Sequence, residues 1–472
     1  MWKLGSTSSH GGPVTFAGIW HRFRHPVDPD TRQSLAAIWD GIAPELRTEN
    51  QMFGRHEEGC GATIGVMPRC DFACRGCYLA AGANRTPAME LDAVKAQMRA
   101  LRAHLGPSGN LQLTDGEVTL RPVEEVIELL RYARAIGLIP MLMTHGDSFR
   151  RRPGLLERLM REGGLEEVSI HIDTTQRGRR GAAYKHASRE ADLMPLRAEF
   201  AEMVRSARLS TGLSLRVATT VTVTAQNIGE VADIVAWVQE NADVYRMIGF
   251  MPVAAVGRTE ADIGHVGVDA LWREIAKGLN VEAENHGRLE ENQWWLGHPG
   301  CSRFVIGASV RQPGRTPQYL PLSVNSSARD RRFLHTVFER WAGVTFRADR
   351  PAEAVARLAG MAAQAPGFFA WTLPRAAWHW LRRIDRQHPL ALAWRILTGT
   401  AQIDRLMIAS HHFMSAAELA TGEGRDRLDH CSFMVPVGGE LKSMCEVNAA
   451  GLRDQVYADI AAADDEELDT AA

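Results

Sequence analysis

Three thiols stand within eight residues of this chain, in Cys70-Asp-Phe-Ala-Cys74-Arg-Gly-Cys77. Soft thiolates suit iron–sulfur clusters and zinc. A 4Fe–4S cluster ordinarily takes four cysteine ligands, so three local ones leave one iron open to a non-protein ligand. Structural zinc prefers paired knuckles from two segments. Here the triplet has only Cys60 nearby as a fourth thiolate, and zinc on that set is the alternative. Three more cysteines lie far downstream, at Cys301, Cys431 and Cys445. The last two flank CSFMVPVGGELKSMC, whose Gly438-Gly439 centre predicts a hairpin that sets them side by side. Three unrelated buried thiols are the competing reading.

The elements that must position the triplet begin at residue 60. Short β-rich runs alternate with amphipathic windows there. The runs are Ala62–Met67, Asn110–Thr114, Leu138–Thr144, Glu166–Asp173, Leu213–Thr224 and Val244–Pro252. Leu91, Val94, Met98, Leu101 and Leu105 keep a helical step, after a Thr86-Pro87 start signal. Ile228, Val231, Ile234, Val235 and Val238 do the same, with Asn227 and Glu230 placed as a capping box. Such alternation implies a parallel sheet with right-handed crossovers. Six units are two short of a closed eight-stranded barrel, so the expected fold is α/β, a partial (β/α)6 TIM-like barrel with a C-terminal helical and hairpin extension. The triplet follows the first strand, and loops after strands are where barrel active sites sit.

Composition bounds the function. The chain has 472 residues, 45% of them hydrophobic and 23% charged, which excludes global disorder. A net charge of −2 gives no reason to expect nucleic acid. No apolar run approaches the ~18 residues of a spanning helix. The expected organisation is an N-terminal extension over 1–58, a core barrel over 59–265, a helical region over 266–460 and a disordered acidic tail over 461–472. Within the third part, 311–333 reads as a connecting loop and 334–408 as helical.

Cys70–Cys77 matches the C-x3-C-x2-C motif of the radical S-adenosylmethionine (radical SAM) enzymes, and over roughly 60–260 the chain resembles that family. Thr114-Asp115-Gly116-Glu117 is similar to the family's Gly-Gly-Glu motif, and Thr144-His145-Gly146 to its Thr-Asn-Gly. Two departures stand out: Gly76 sits where the family has an aromatic residue, with Tyr78 following, and Asp115 replaces a glycine. The resemblance implies that Cys70, Cys74 and Cys77 hold a 4Fe–4S cluster that cleaves S-adenosylmethionine to a 5′-deoxyadenosyl radical. It implies that Glu117 and the backbone at Asp115 and Gly116 hold the cofactor's methionine ammonium. Thr144, Ser169, His171, Asp173 and Arg216 are further cofactor candidates at strand ends. Val168-Ser-Ile-His-Ile-Asp173 alternates, which puts Ser169, His171 and Asp173 on one face. Hydrogen bonding among themselves is the structural reading for His171 and Asp173.

The hairpin resembles the auxiliary-cluster domains of the family (SPASM and twitch types). A second 4Fe–4S cluster on Cys301, Cys431 and Cys445 is therefore an option, with Cys60, His298 or substrate as fourth ligand. Trp371, Trp378, Trp380 and Trp394 share 366–408 with six arginines. Such a helix suits peripheral membrane contact, and a lid packed on the barrel is the favoured reading. With His411-His412-Phe413-Met414 and the hairpin, this half faintly resembles archaeal tetraether lipid synthase-like proteins. The implied partners are a low-potential electron donor of flavodoxin or ferredoxin type and an unknown lipid or peptide substrate. A reducing setting implies the cytoplasm, with a membrane-peripheral option. A non-catalytic zinc protein is the alternative function.

Overall fold

Among the described residues, twelve strands join one sheet: β1 (Cys60–Ala62), β2 (Asn110–Leu113), β3 (Ile139–Thr144), β4 (Glu167–His171), β5 (Arg216–Val223), β6 (Tyr245–Pro252), β7 (Trp294–Trp295), β8 (Ser302–Arg311), β9 (Gln318–Pro321), β10 (Gln402–His411), β11 (Phe433–Val437) and β12 (Glu440–Ser443). The structure is a computed structural model. It describes residues 15–471 apart from 182, 281–285, 325–326, 345 and 347–350. The order is β12-β11-β1-β2-β3-β4-β5-β6-β10-β8-β7, with β9 on β8.

The first six strands are parallel neighbours, as the strand–helix alternation predicts. The C-terminal half then adds a parallel strand at each edge, β11 against β1 and β10 against β6. β10 lies in a stretch read as helical. Its run Leu406–Ala409 is apolar and mostly buried, and periodicity cannot separate such a run from a helix. The sheet curls into a partial TIM-like barrel. Phe413, just beyond β10, lies 6.3 Å ring to ring from Phe433 in β11. Those strands stand at opposite ends of the parallel run, so its two ends meet.

Register sorts the two faces. Ile170, Ile172, Val217, Val221 and Ile248 point outward and pack on the helices in the main core, with Val94, Met98, Leu101 and Leu105. Each such fully buried Leu or Ile contributes roughly 1.5–3 kcal/mol. Ser169 aligns with Ala218 and His171 with Thr220, which sets Ser169, His171, Thr220 and Thr222 on the inward face.

Several local expectations are corrected. The first run is a strand only over Cys60–Ala62, because Gly65 turns the chain at φ +82° toward the end of β2. Helix Leu91–Leu105 starts after Glu90, and Thr86 instead closes a short 3-10 turn. Asn227 accepts from Thr224 N at 2.8 Å, so no capping box forms with Glu230. Of the stretch read as a connecting loop, β9 and the start of helix Ala328–Trp341 are regular structure. No residue of helix Leu373–Ile384 is buried, and Trp371, Trp378 and Trp394 face solvent, so this segment is not a packed lid. A final helix, Leu452–Ala471, runs on through the acidic residues expected to be disordered. Among the described residues no helix is long and apolar enough to cross a membrane.

Candidate active site

The loop after β1 carries Cys70, Cys74 and Cys77 across the C-terminal mouth of the parallel strands. Its path is fixed by the end of β2: Gly116 N donates to Met67 O and Glu117 N to Arg69 O, both at 2.9 Å. A Cβ on Gly116 would lie 2.3 Å from Arg69 O, so only glycine allows this approach. On the other side the chain after β6 closes on the same loop. Arg258 N donates to Cys77 O at 2.8 Å. A Cβ on Gly257, at φ +57°, would lie 2.4 Å from the Tyr78 carbonyl. Gly76 packs tightly over Thr222 and Val253 at the ends of β5 and β6, where even a Cβ would come within 3.1 Å of both. That accounts for the missing aromatic residue.

Two N–H groups point at the thiols. Arg258 Nη2 donates to Cys77 Sγ at 3.1 Å, and Phe72 N to Cys70 Sγ at 3.4 Å. Donors aimed at sulfur favour the thiolate and tune a bound cluster. Burial pushes Cys70 up to about 12 and Cys74 well above its ordinary value, and Cys77 adds to both.

Glu117 is fully buried. One carboxylate oxygen accepts from Thr119 N at 3.1 Å, Thr119 Oγ1 and Thr144 Oγ1 at 2.7 Å; the other accepts from His145 N at 2.9 Å. Both oxygens therefore brace the ends of β2 and β3. Thr144 stands between Glu117 and Gly146 N. His145 stacks flat on Phe72 at 3.7 Å and meets Asp71 at 2.8 Å.

Asp115 takes a positive φ of 127°. Its side chain turns to the final helix, where Arg453 and Tyr457 donate to it, Tyr457 at 2.6 Å. Gly65 N donates to its other oxygen at 2.6 Å. Tyr78 donates to the Asp115 carbonyl at 2.6 Å and lies under the Arg453 guanidinium, 4.7 Å away. The two departures thus share one network, in which Asp115 and Tyr78 bind the final helix to the thiol loop.

Of the remaining candidates, His171 Nε2 contacts Asp173 Oδ2 at 2.6 Å and Thr222 Oγ1 at 3.2 Å. Burial opposes ionisation of Asp173, but His171 and donors from Thr175 and Thr222 outweigh it and hold the carboxyl at about 2. Ser169 and Thr220 carry buried hydroxyls without a partner, both on the inward face. Unpaired buried hydroxyls are costly, and these fit a polar group bound in the barrel. Arg216 is set apart. It opens β5 at the opposite end of the strand and pairs with Glu167 at 2.7 Å.

Sequence reasoning missed Arg258, Arg179 and Arg453. Arg179 is buried over Phe72 and donates to His145 O at 3.1 Å. No spacing signal marks these residues, because each acts across a long stretch of chain.

The zinc alternative is not favoured. Its fourth ligand, Cys60, lies elsewhere, with its backbone N bonded to Ser432 O at 2.9 Å. Among the described residues, the one set of donors within single-ion reach is Cys70, Asp71 and His145. Asp71 there is engaged by His145 and Arg151.

Residues 64–238 match the family described as the radical SAM superfamily. A segment of 204 residues, 42% of this chain, is 28% identical to 7,8-dihydro-6-hydroxymethylpterin dimethyltransferase of Methanocaldococcus jannaschii. The chain spans 37% of the length of that curated relative. Among solved structures it is similar to SuiB of Streptococcus suis, at 14% identity and TM-score 0.33 over 52% of this chain and 50% of that one. It is also similar to methylornithine synthase (PylB), at 13% identity and TM-score 0.32 over 57% and 75%. Residues 64–238 are thus similar to the radical SAM superfamily domain. Members of that family bind a 4Fe–4S cluster and S-adenosylmethionine. The thiol loop, its sulfur-directed donors and the unpaired inward hydroxyls fit both.

Proposed function

We propose that this protein is a radical SAM enzyme whose cluster is held by Cys70, Cys74 and Cys77. The observation that carries this is the placing of three thiols on one loop at the barrel mouth, clamped by the strand end Asp115–Glu117 and by Arg258. Cys70, Cys74 and Cys77 would hold a 4Fe–4S cluster, which when bound and reduced would supply the electron for cleaving S-adenosylmethionine toward radical abstraction of hydrogen from an unactivated C–H bond. The chain's own part is positioning. With three protein thiolates, such a cluster would keep one position open for the cofactor. Glu117 locks the strand ends, so the backbone at Asp115 and Gly116 is presented in one conformation. Ser169 and Thr220 offer hydroxyls to the cofactor, and His171, oriented by Asp173, lies beside them. Arg216 has no part at the mouth.

We infer that the substrate carries an apolar portion. Met141, Met143, Met247 and Met251 lie on the inward face and are half-buried, which supports an apolar, adaptable lining. A lipid fits that lining better than a charged peptide. Radical SAM enzymes need a reductant, and a flavodoxin- or ferredoxin-type donor in the cytoplasm suits a low-potential cluster.

The test is reduction of the anaerobically reconstituted protein with S-adenosylmethionine. Wild type should form 5′-deoxyadenosine, and the Cys70→Ala/Cys74→Ala/Cys77→Ala variant should form none. A wild type that binds iron at the triplet yet cleaves no cofactor would refute the reading.

A further inference from the structure

We propose that the Trp- and Arg-rich segment 366–400 is a docking surface for an anionic lipid bilayer, with helix Pro389–Leu397 lying in the plane of the headgroups. This goes beyond the function proposed above and does not depend on it.

Helix Pro389–Leu397 carries apolar residues on both sides. Leu392 is fully buried against the protein. On the opposite side Leu390, Trp394 and Leu397 step by four and three residues, one stripe of a helix. They are 72%, 68% and 81% exposed. A helix that is apolar all round belongs in apolar surroundings on every side. The protein supplies one side here and leaves the other open.

The preceding segment repeats the pattern with charge added. Trp371, Arg375, Trp378 and Arg382 step by four, three and four residues, and all four are exposed. The Arg375 guanidinium lies over the Trp371 ring at 5.4 Å. Other residues seat this helix, Leu373–Ile384. Arg383 donates to Pro321 O in β9 at 3.0 Å and to Asp330 of helix Ala328–Trp341 at 3.4 Å. Asp385 joins it to the next helix, accepting from His388 N at 2.9 Å and lying 3.7 Å from Arg395. These bonds fix which faces stay outside.

Charge and composition choose the occupant. Between 366 and 400 five arginines stand against Asp385 as the single carboxylate. Two copies of this chain meeting through the face would bring like charges together. Single exposed apolar residues are ordinary on a protein surface. A stripe of Leu and Trp beside a stripe of Trp and Arg marks an interaction site. Trp rings settle at the headgroup level of a bilayer, and arginine lays its stem on apolar surface while its guanidinium reaches phosphate. The nine residues of Pro389–Leu397 are too few to span a bilayer and suit lying on one.

The experiment is sedimentation of the full chain with vesicles of phosphatidylcholine mixed with phosphatidylglycerol, and with vesicles of phosphatidylcholine alone. Wild type should sediment with the anionic vesicles, less with the neutral ones, and less as salt is raised. Trp371→Ala/Trp394→Ala/Leu397→Ala should lower partitioning by roughly tenfold or more, with the circular dichroism spectrum unchanged. Arg375→Gln/Arg382→Gln should lower it by roughly tenfold or more on anionic vesicles alone. Leu209→Ala, 87% exposed on helix Met194–Thr211, is the control and should change nothing. A wild type that stays in solution with anionic vesicles would overturn the proposal. So would partitioning that survives the triple variant, or a concentration-dependent dimer in place of vesicle binding, which would put a second copy on this face. The measurement needs no cluster, so a failure of cofactor cleavage would refute only the proposed enzyme function.

Discussion

The two thiol groups of this molecule are built in opposite ways. The triplet draws its thiols from eight consecutive residues, yet its setting depends on distant chain. Asp115 is fastened by Arg453 and Tyr457, more than 300 residues away, and Cys77 by Arg258. Cys60, Cys301, Cys431 and Cys445 come from separate stretches of chain, and close backbone approach at Gly59 to Ser432 and at Gly297 to His430 joins their segments. A contiguous motif brings its thiols together by sequence. The second group is assembled by the fold itself, once the sheet has curled.

The largest effect that would break this contrast concerns the support of the triplet. Arg453→Met leaves Asp115 buried without its cation, which costs about 3–5 kcal/mol. The Asp115→Gly/Arg453→Met pair removes both charges and should recover most of that loss, as well as the positive-φ strain at 115. Urea unfolding of the two single variants and the double measures it. Additive losses would mean that the final helix does not act through Asp115.

A smaller effect sharpens the same picture from within the barrel. Asp173 is held at about 2 against an ordinary 3.8. A depressed carboxyl stabilises the fold above 3.8, and that contribution is lost as pH falls toward about 2. In the metal-free protein, Asp173→Asn should therefore flatten the acid limb of stability against pH. An unchanged limb would show that the His171–Asp173 contact does not set the ionisation.

The smallest effect belongs to the exposed aromatic residues. Trp371→Ala and Trp394→Ala should each shift unfolding by no more than about 0.5 kcal/mol, because both side chains face solvent. A loss of several kcal/mol would mean that this segment packs after all.

What was legible in the sequence follows the same divide. The triplet, the strand end at Asp115–Glu117 and the six parallel strands could be read because each rests on local spacing or periodicity. The hairpin of β11 and β12 was legible from Gly438 and Gly439, both at positive φ. The parallel pairing of β10 and β11 was not, since β10 is an apolar run without telling alternation and β11 looks like half of a free hairpin. Arg453 was invisible because its partner lies at the far end of the chain. Arg216 was misassigned: its strand was right, but the register places it at the start of β5, away from the mouth.

The most direct test of the proposed function is the electron paramagnetic resonance spectrum of the dithionite-reduced, reconstituted wild-type protein with and without S-adenosylmethionine. A reduced-cluster signal that the cofactor shifts, and that is lost on mutating Cys70, Cys74 and Cys77, is expected. A signal that the cofactor leaves unshifted, or a cofactor-shifted signal that survives mutation of all three, would contradict the account.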